Sequence, residues 1–179
     1  MAYTYEYIAS SILSTNTATI TFSSIPSTYT DLELRIMAKG NNSGDGTFNH
    51  MVFSVNNSSA AMYNSVHTRG DAGAFNGQSA SKATNGTYGF ASYINGPTAP
   101  ADAFGASSIY FFNYAGPAYK PFRWHSANEY NVSPRYTNWG GGVINTNTAI
   151  SSIEIRSDQF TITSYQTGSQ FYLYGIKNS

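Results

Sequence analysis

Apolar residues return at every second position along most of this chain, and a helical three-and-four repeat is hard to find. In residues 17–22, Ala18, Ile20 and Phe22 share one face while Thr17, Thr19 and Thr21 share the other. In residues 31–37, Leu32, Leu34 and Ile36 alternate in the same way with Glu33 and Arg35. A period of two is the mark of a strand with one buried and one wet face. Between these two segments, residues 23–27 hold the turn chemistry, because Pro26 fixes its own φ and cannot donate to a ladder. The alternation resumes at Met51, Phe53 and Val55, at Tyr88, Phe90 and Ile94, and at Ile109 and Phe111 against Tyr110, Phe112 and Tyr114. It continues with Phe122 and Trp124, with Ile153 and Ile155 opposite Glu154 and Arg156, with Phe160 and Ile162, and with Phe171 and Leu173 opposite Tyr172 and Tyr174.

Gly, Asn or Pro bounds each run, and about eight to ten strands result, the spacing of an all-β antiparallel fold. The 179 residues suffice for one domain with its own core, so residues 1–179 are read as a single unit. Two sheets packed face to face are the economical way to bury that many one-sided strands. The strand count fits a jelly-roll-like β-sandwich better than a seven-stranded immunoglobulin sandwich. Residues 60–86, rich in Ala, Ser, Gly and Asn, are expected to form long surface loops with one short strand near Tyr63 to His67. Residues 95–106, with Gly96-Pro97 and Pro100, read as a crossover or exposed loop. No internal repeat stands out.

Composition narrows the function classes. Charged residues make up 10% of the chain, against about 25% in an ordinary soluble domain, while 16% aromatic residues exclude a disordered composition. Nine basic residues, scattered singly, balance nine acidic ones, which leaves no electrostatic footprint for phosphates and excludes a nucleic-acid partner. The absence of cysteine removes disulfides, thiolate metal sites and thiol nucleophiles together. Apolar runs are far shorter than the roughly 20 residues of a membrane helix, and the polar N-terminus has no apolar signal core, so the chain is expected to be soluble, off the membrane and without an address. Free monomers near zero net charge tend to associate, which points to a surface covered by partners in the working state.

The search for chemistry returns little. No nucleophile elbow, Walker loop, HExxH or EF-hand loop occurs. His50, His67 and His125 lack metal-ligand spacing, so no metal and no cofactor is expected. Glu129 lies in sequence among Trp124, His125, Tyr130, Arg135, Tyr136 and Trp139, and a second carboxylate beside it would suit glycoside hydrolysis. Those aromatics are instead read as core or as a subunit interface. Residues 41–46, with Asp45 between glycines, have too few carboxylates for calcium and read as a turn. The tripeptide Arg69-Gly70-Asp71 arises by chance in a glycine-rich chain. The chain is not expected to be an enzyme.

Two segments carry a resemblance. The first is Tyr7-Ile8-Ala9-Ser10 with the run from Ala18 to Pro26 and Tyr29-Thr30-Asp31-Leu32. The second is the run from Ile150 to Ile155 with that from Gly168 to Lys177. Together they cover about a third of the chain, at its two ends, and they resemble small jelly-roll virion structural proteins of tailed bacteriophages, particularly phages of cyanobacteria and marine bacteria. The resemblance implies a capsid decoration or cement protein whose partners are the major capsid protein or other virion proteins. It also implies a homo-oligomer such as a trimer, and a place on the capsid surface, with the tail as the alternative. Tyr3, Tyr5 and Tyr7 read either as an arm over residues 1–7 laid along a neighbour or as the first strand of the sandwich. With Trp124, Tyr130, Tyr136 and Trp139 they form the candidate interface. The alternative function is host recognition by a tail or fibre component, with residues 60–86 and the aromatics from Trp124 to Trp139 binding a surface glycan.

Overall fold

A computed structural model describes residues 3–41, 48–58, 63–71, 80–81, 87–128, 136–157 and 164–178. These contain no helix and twelve strands: β1 (Tyr3–Ile12), β2 (Thr19–Phe22), β3 (Asp31–Ala38), β4 (Phe48–Val55), β5 (Tyr63–Asp71), β6 (Ala80–Ser81), β7 (Gly89–Asn95), β8 (Gly105–Phe111), β9 (Lys120–Asn128), β10 (Tyr136–Ile144), β11 (Ile153–Ser157) and β12 (Gln170–Asn178). One sheet has the order β1-β12-β3-β8-β9-β10-β5-β6 and the other β2-β11-β4-β7. Every ladder between strands is antiparallel.

The fold is an all-β sandwich, and its topology is that of a jelly roll. Of the eight strands β1, β2, β3, β4, β7, β8, β11 and β12, successive ones fall in opposite sheets except for β4 and β7, which pair with each other, so that β1-β12-β3-β8 faces β2-β11-β4-β7. Four further strands, β5 and β6 between β4 and β7, and β9 and β10 between β8 and β11, extend the first sheet beyond β8.

The alternation in the sequence is the alternation of burial. Along β9, Phe122, Trp124 and Ser126 point inward while Arg123, His125 and Ala127 point outward, and β2 repeats the pattern with Ile20 and Phe22 inward. Phe53 of β4 is the hub between the layers, edge-on to Tyr63, Phe111 and Phe122 at ring-centroid distances of 5.6, 5.2 and 5.0 Å. Each such ring taken from water contributes about 1.5–3 kcal/mol, with a smaller increment from the edge-to-face geometry.

Polar anchors fix the ends. Asn56, in the left-handed region at φ 55°, accepts the N–H groups of Ser151 (2.8 Å) and Ser152 (3.3 Å) and donates to the Ala149 carbonyl. Asp31 accepts the Asn113 N–H at 2.7 Å and the Tyr110 hydroxyl at 3.2 Å. Lys39 is buried at the end of β3, where its ammonium donates to the carbonyls of Ala99 and Pro100, both at 2.8 Å, and desolvation lowers its pKa.

Several expectations require correction. The strands number twelve rather than eight to ten. Within residues 60–86 the short strand expected near Tyr63 to His67 runs on to Asp71, and Ala80–Ser81 adds a second. The segment 95–106 takes the crossover alternative and not that of an exposed loop: it carries the chain from β7 in the smaller sheet to β8 in the larger, with Asn95 and Ala99 buried and Lys39 tied to it. Of the two readings of Tyr3, Tyr5 and Tyr7, the first strand holds and the free arm does not, since Tyr3 to Tyr7 pair with β12 from Asn178 to Tyr174. A bulge between Tyr7 and Ala9 then shifts the register. Ile8 is the extra residue, so Tyr5 and Tyr7 lie on the outer face with Tyr174, while Ala9 and Ser11 lie opposite the buried Leu173 and Phe171. Phe160, Ile162 and residues 42–46 lie outside the described residues.

Candidate functional site on the outer face of the larger sheet

Cross-strand partners share a face, so the register lays out the outer surface of the larger sheet row by row. One row runs Tyr7, Tyr174, Glu33, Tyr110, Arg123, Gly141. The next runs Ser10, Tyr172, Arg35, Ser108, His125, Trp139, and a third runs Ile12, Gln170, Met37, Ala106, Ala127, Thr137. Large apolar side chains that remain exposed gather on this face: Tyr5 (49%), Tyr7 (60%), Ile12 (61%), Met37 (51%) and Trp139 (42%). An isolated exposed apolar residue is ordinary, but a set sharing one sheet face marks a contact surface.

The face is divided by side-chain size. Ser108, Ala106 and Ala127 are small and stand in the middle of their rows, so the sheet dips there into a trough of about 530 Å³. Arg35, Met37 and Tyr172 wall it on one side and His125 on the other, with Trp139 beside His125 on β10. Tyr110 and Arg123 stand in the row beyond Ser108 and His125, with the guanidinium 5.2 Å from the Tyr110 ring centroid.

Arg35 is held in place. Its guanidinium donates to Glu33 at 3.0 Å and sits 5.0 and 5.3 Å from the ring centroids of Tyr174 and Tyr5. The Glu33 hydrogen bond raises its already high pKa. Across the trough, the Ser108 hydroxyl lies 3.3 Å from Nδ1 of His125. Burial, followed by the Asp31 carboxylate, pushes the Tyr110 hydroxyl up to about 12. The smaller sheet offers less: Glu154, Arg156 and Tyr88 border a pit of about 70 Å³.

The structure separates the candidate interface residues. Tyr5 and Tyr7 are exposed on β1 and Trp139 on β10. Tyr3 and Tyr136 occupy strand positions, opposite Asn178 and Asn128 respectively. Trp124 is corrected: it is core, 2% exposed and 5.1 Å from Phe90 between ring centroids, because its place in β9 puts it on the inner face. Tyr130 and Glu129 lie outside the described residues. His50 packs edge-on to Tyr93 at 4.7 Å, His67 lies on β5, and His125 faces out. Among the described residues no three His, Asp or Glu side chains stand together as metal ligands. Arg35, Ser108 and His125 were not singled out as a group by sequence; the outward parity of each was visible, but the register that makes them neighbours was not.

No protein-family model matches the chain, and no curated protein matches it either. Among solved structures, the fructofuranosidase from Schwanniomyces occidentalis complexed with fructose aligns at 11% identity with a TM-score of 0.28, over 97% of this chain and 34% of that one. The chain thus spans about a third of that protein's length, and a likeness this weak carries no argument about its fold or its site.

Proposed function

We propose that this protein is a non-enzymatic structural component of a phage particle, a capsid decoration or cement protein that holds its neighbours through the β1 end of the larger sheet. The observation that carries the reading is β1 itself. Among the described residues it is the last strand of its sheet, with one edge unpaired, and Tyr5, Tyr7 and Ile12 stand about half exposed or more along it. Its one acidic side chain, Glu6, is neutralised by Lys177 at 2.8 Å, and that bond lowers the Glu6 pKa. An open edge with large, stiff, uncharged side chains suits pairing with a protein neighbour. The zero net charge of the chain and the resemblance of its two ends to phage jelly-roll proteins support the same reading. Repetition over a symmetric shell, or within a homo-oligomer such as a trimer, multiplies individually weak contacts.

The test is the triple variant Tyr5→Ser, Tyr7→Ser, Ile12→Ser, compared with the parent chain for occupancy on particles by quantitative mass spectrometry and cryo-EM. Occupancy is expected to fall at least tenfold while the melting temperature of the free protein moves by only a few degrees. Unchanged occupancy, or density for the chain confined to the tail, refutes the capsid reading.

A further inference from the structure

The trough at the centre of the same face has no role in that docking. It lies on β12, β3, β8 and β9, opens above the sheet rather than at its β1 edge, and its chemistry is different. Its floor is apolar and made of methyl groups, Ala106 and Ala127, beside the hydroxyl of Ser108. Its rims carry Tyr172 on one side and the His125 imidazole on the other. Two strand spacings separate β3 from β9, so Arg35 and His125 stand about 10 Å apart across the floor, and the volume of about 530 Å³ falls within the range of small-ligand sites.

The polar groups decide between ligand classes. A phosphate or other strong anion needs uncompensated positive charge, yet Arg35 is matched by Glu33 at 3.0 Å. A peptide strand needs free main-chain groups, but those of β3, β8 and β9 face one another in the ladders. An acyl chain would strip water from Glu33, Arg35, Ser108 and His125 and return no hydrogen bonds. A neutral sugar meets every condition. Its C–H face covers apolar floor and aromatic rim, and its hydroxyls both donate and accept, as a carboxylate, a guanidinium, a serine hydroxyl and an imidazole together require. The guanidinium is already positioned by Glu33, Tyr5 and Tyr174, so little ordering accompanies binding.

We infer that the trough between Arg35 and His125, floored by Ala106, Ser108 and Ala127, is a binding site for a neutral, hexose-based glycan.

The experiment is a titration of the full chain with maltohexaose, cellohexaose, mannohexaose, a polygalacturonate oligomer and an unstructured hexapeptide. Binding is followed by tryptophan fluorescence and by NMR shifts. The chain has two tryptophans, Trp124 in the core and Trp139 exposed on β10 beside His125, so an emission change on binding is read from Trp139. At least one neutral hexaose is expected to bind saturably. Ser108→Tyr and Ala127→Tyr, which fill the floor from two different strands, are each expected to weaken binding at least tenfold. If one floor variant does not melt cooperatively, the other decides. A β1 variant that spares Tyr5, Tyr7→Ser with Ile12→Ser, is expected to bind sugar as the parent does, which separates this site from the docking edge. Three outcomes overturn the inference: no saturable binding of any neutral hexaose, binding unaffected by the floor substitutions, or preference for the polygalacturonate or the peptide.

Discussion

Replacing Tyr63 with phenylalanine sets two effects of opposite sign against each other, and pH decides which prevails. Tyr63 opens β5 and is wholly buried; its hydroxyl accepts the Val55 N–H at 2.8 Å, and its ring meets Phe53 edge-on. Burial pushes its pKa up to about 12. In the unfolded chain the hydroxyl loses its proton near pH 10, whereas the folded chain holds it until about pH 12, so the unfolded state binds fewer protons across that window. The stability held below pH 10 therefore falls as pH rises, by about 1.4 kcal/mol at pH 11 and about 2.3 kcal/mol at pH 12. Tyr63→Phe abolishes this loss but leaves Val55 N–H without that acceptor, at a cost of about 1–1.5 kcal/mol. The variant should be the weaker protein at pH 8, equal to the parent near pH 11, and the stronger by about 1 kcal/mol at pH 12. Urea unfolding at pH 8, 9.5, 11 and 12 measures the gap, and the titration of other groups cancels in the difference. A gap constant across this range refutes the assignment of Tyr63 as a buried, proton-holding hydroxyl.

Two further substitutions test the packing. Tyr165 is also fully buried, but its hydroxyl has no hydrogen-bond partner among the described residues and burial alone raises its pKa well above the ordinary value. Tyr165→Phe should therefore be neutral or stabilising by about 1 kcal/mol at pH 7, the reverse of Tyr63→Phe, as read by urea midpoints. In Gly142→Ala the added Cβ would stand 1.8 Å from the Asn64 carbonyl oxygen. The backbone-entropy gain of roughly 0.4–1 kcal/mol is outweighed by forcing β10 from β5, and a loss of about 3 kcal/mol is expected in thermal melts.

What was legible in the sequence is what one-sided burial writes there. Leu32, Leu34 and Ile36 alternate with Glu33 and Arg35 because one face of β3 meets the core and the other water. The same rule already placed Trp124 inward with Phe122, and reading it as interface ignored its parity. Strand β10 left little trace, because Gly140, Gly141 and Gly142 have no side chains to alternate. Those glycines are there for close approach: a Cβ on Gly141 would lie 2.7 Å from the Phe122 carbonyl, and one on Gly142 nearer still to that of Asn64. The bulge at Ile8 is invisible for another reason. Tyr5, Tyr7, Ala9 and Ser11 form one unbroken alternation, and the switch of face after Tyr7 is known only from the pairing with β12. The trough was hidden for the same cause, since Arg35, Ser108 and His125 come from three strands and their adjacency is a matter of register.

The extension of the larger sheet explains why that trough exists. In a bare eight-stranded jelly roll, β8 would be an edge, and Ala106 and Ser108 would sit at the rim with water beyond them. Adding β9 and β10 moves the edge outward and sets His125 opposite Arg35 and Met37, turning a low rim into a floor between two walls. The same addition leaves β1 untouched as the open edge at the far end of the sheet. The trough begins at Tyr172 of β12, one strand in from β1, and opens above the sheet, whereas a neighbour paired edge-on to β1 extends the sheet sideways in its own plane. The two surfaces can therefore be occupied together: the β1 edge in the plane of the sheet by protein, and the trough from above by a sugar chain.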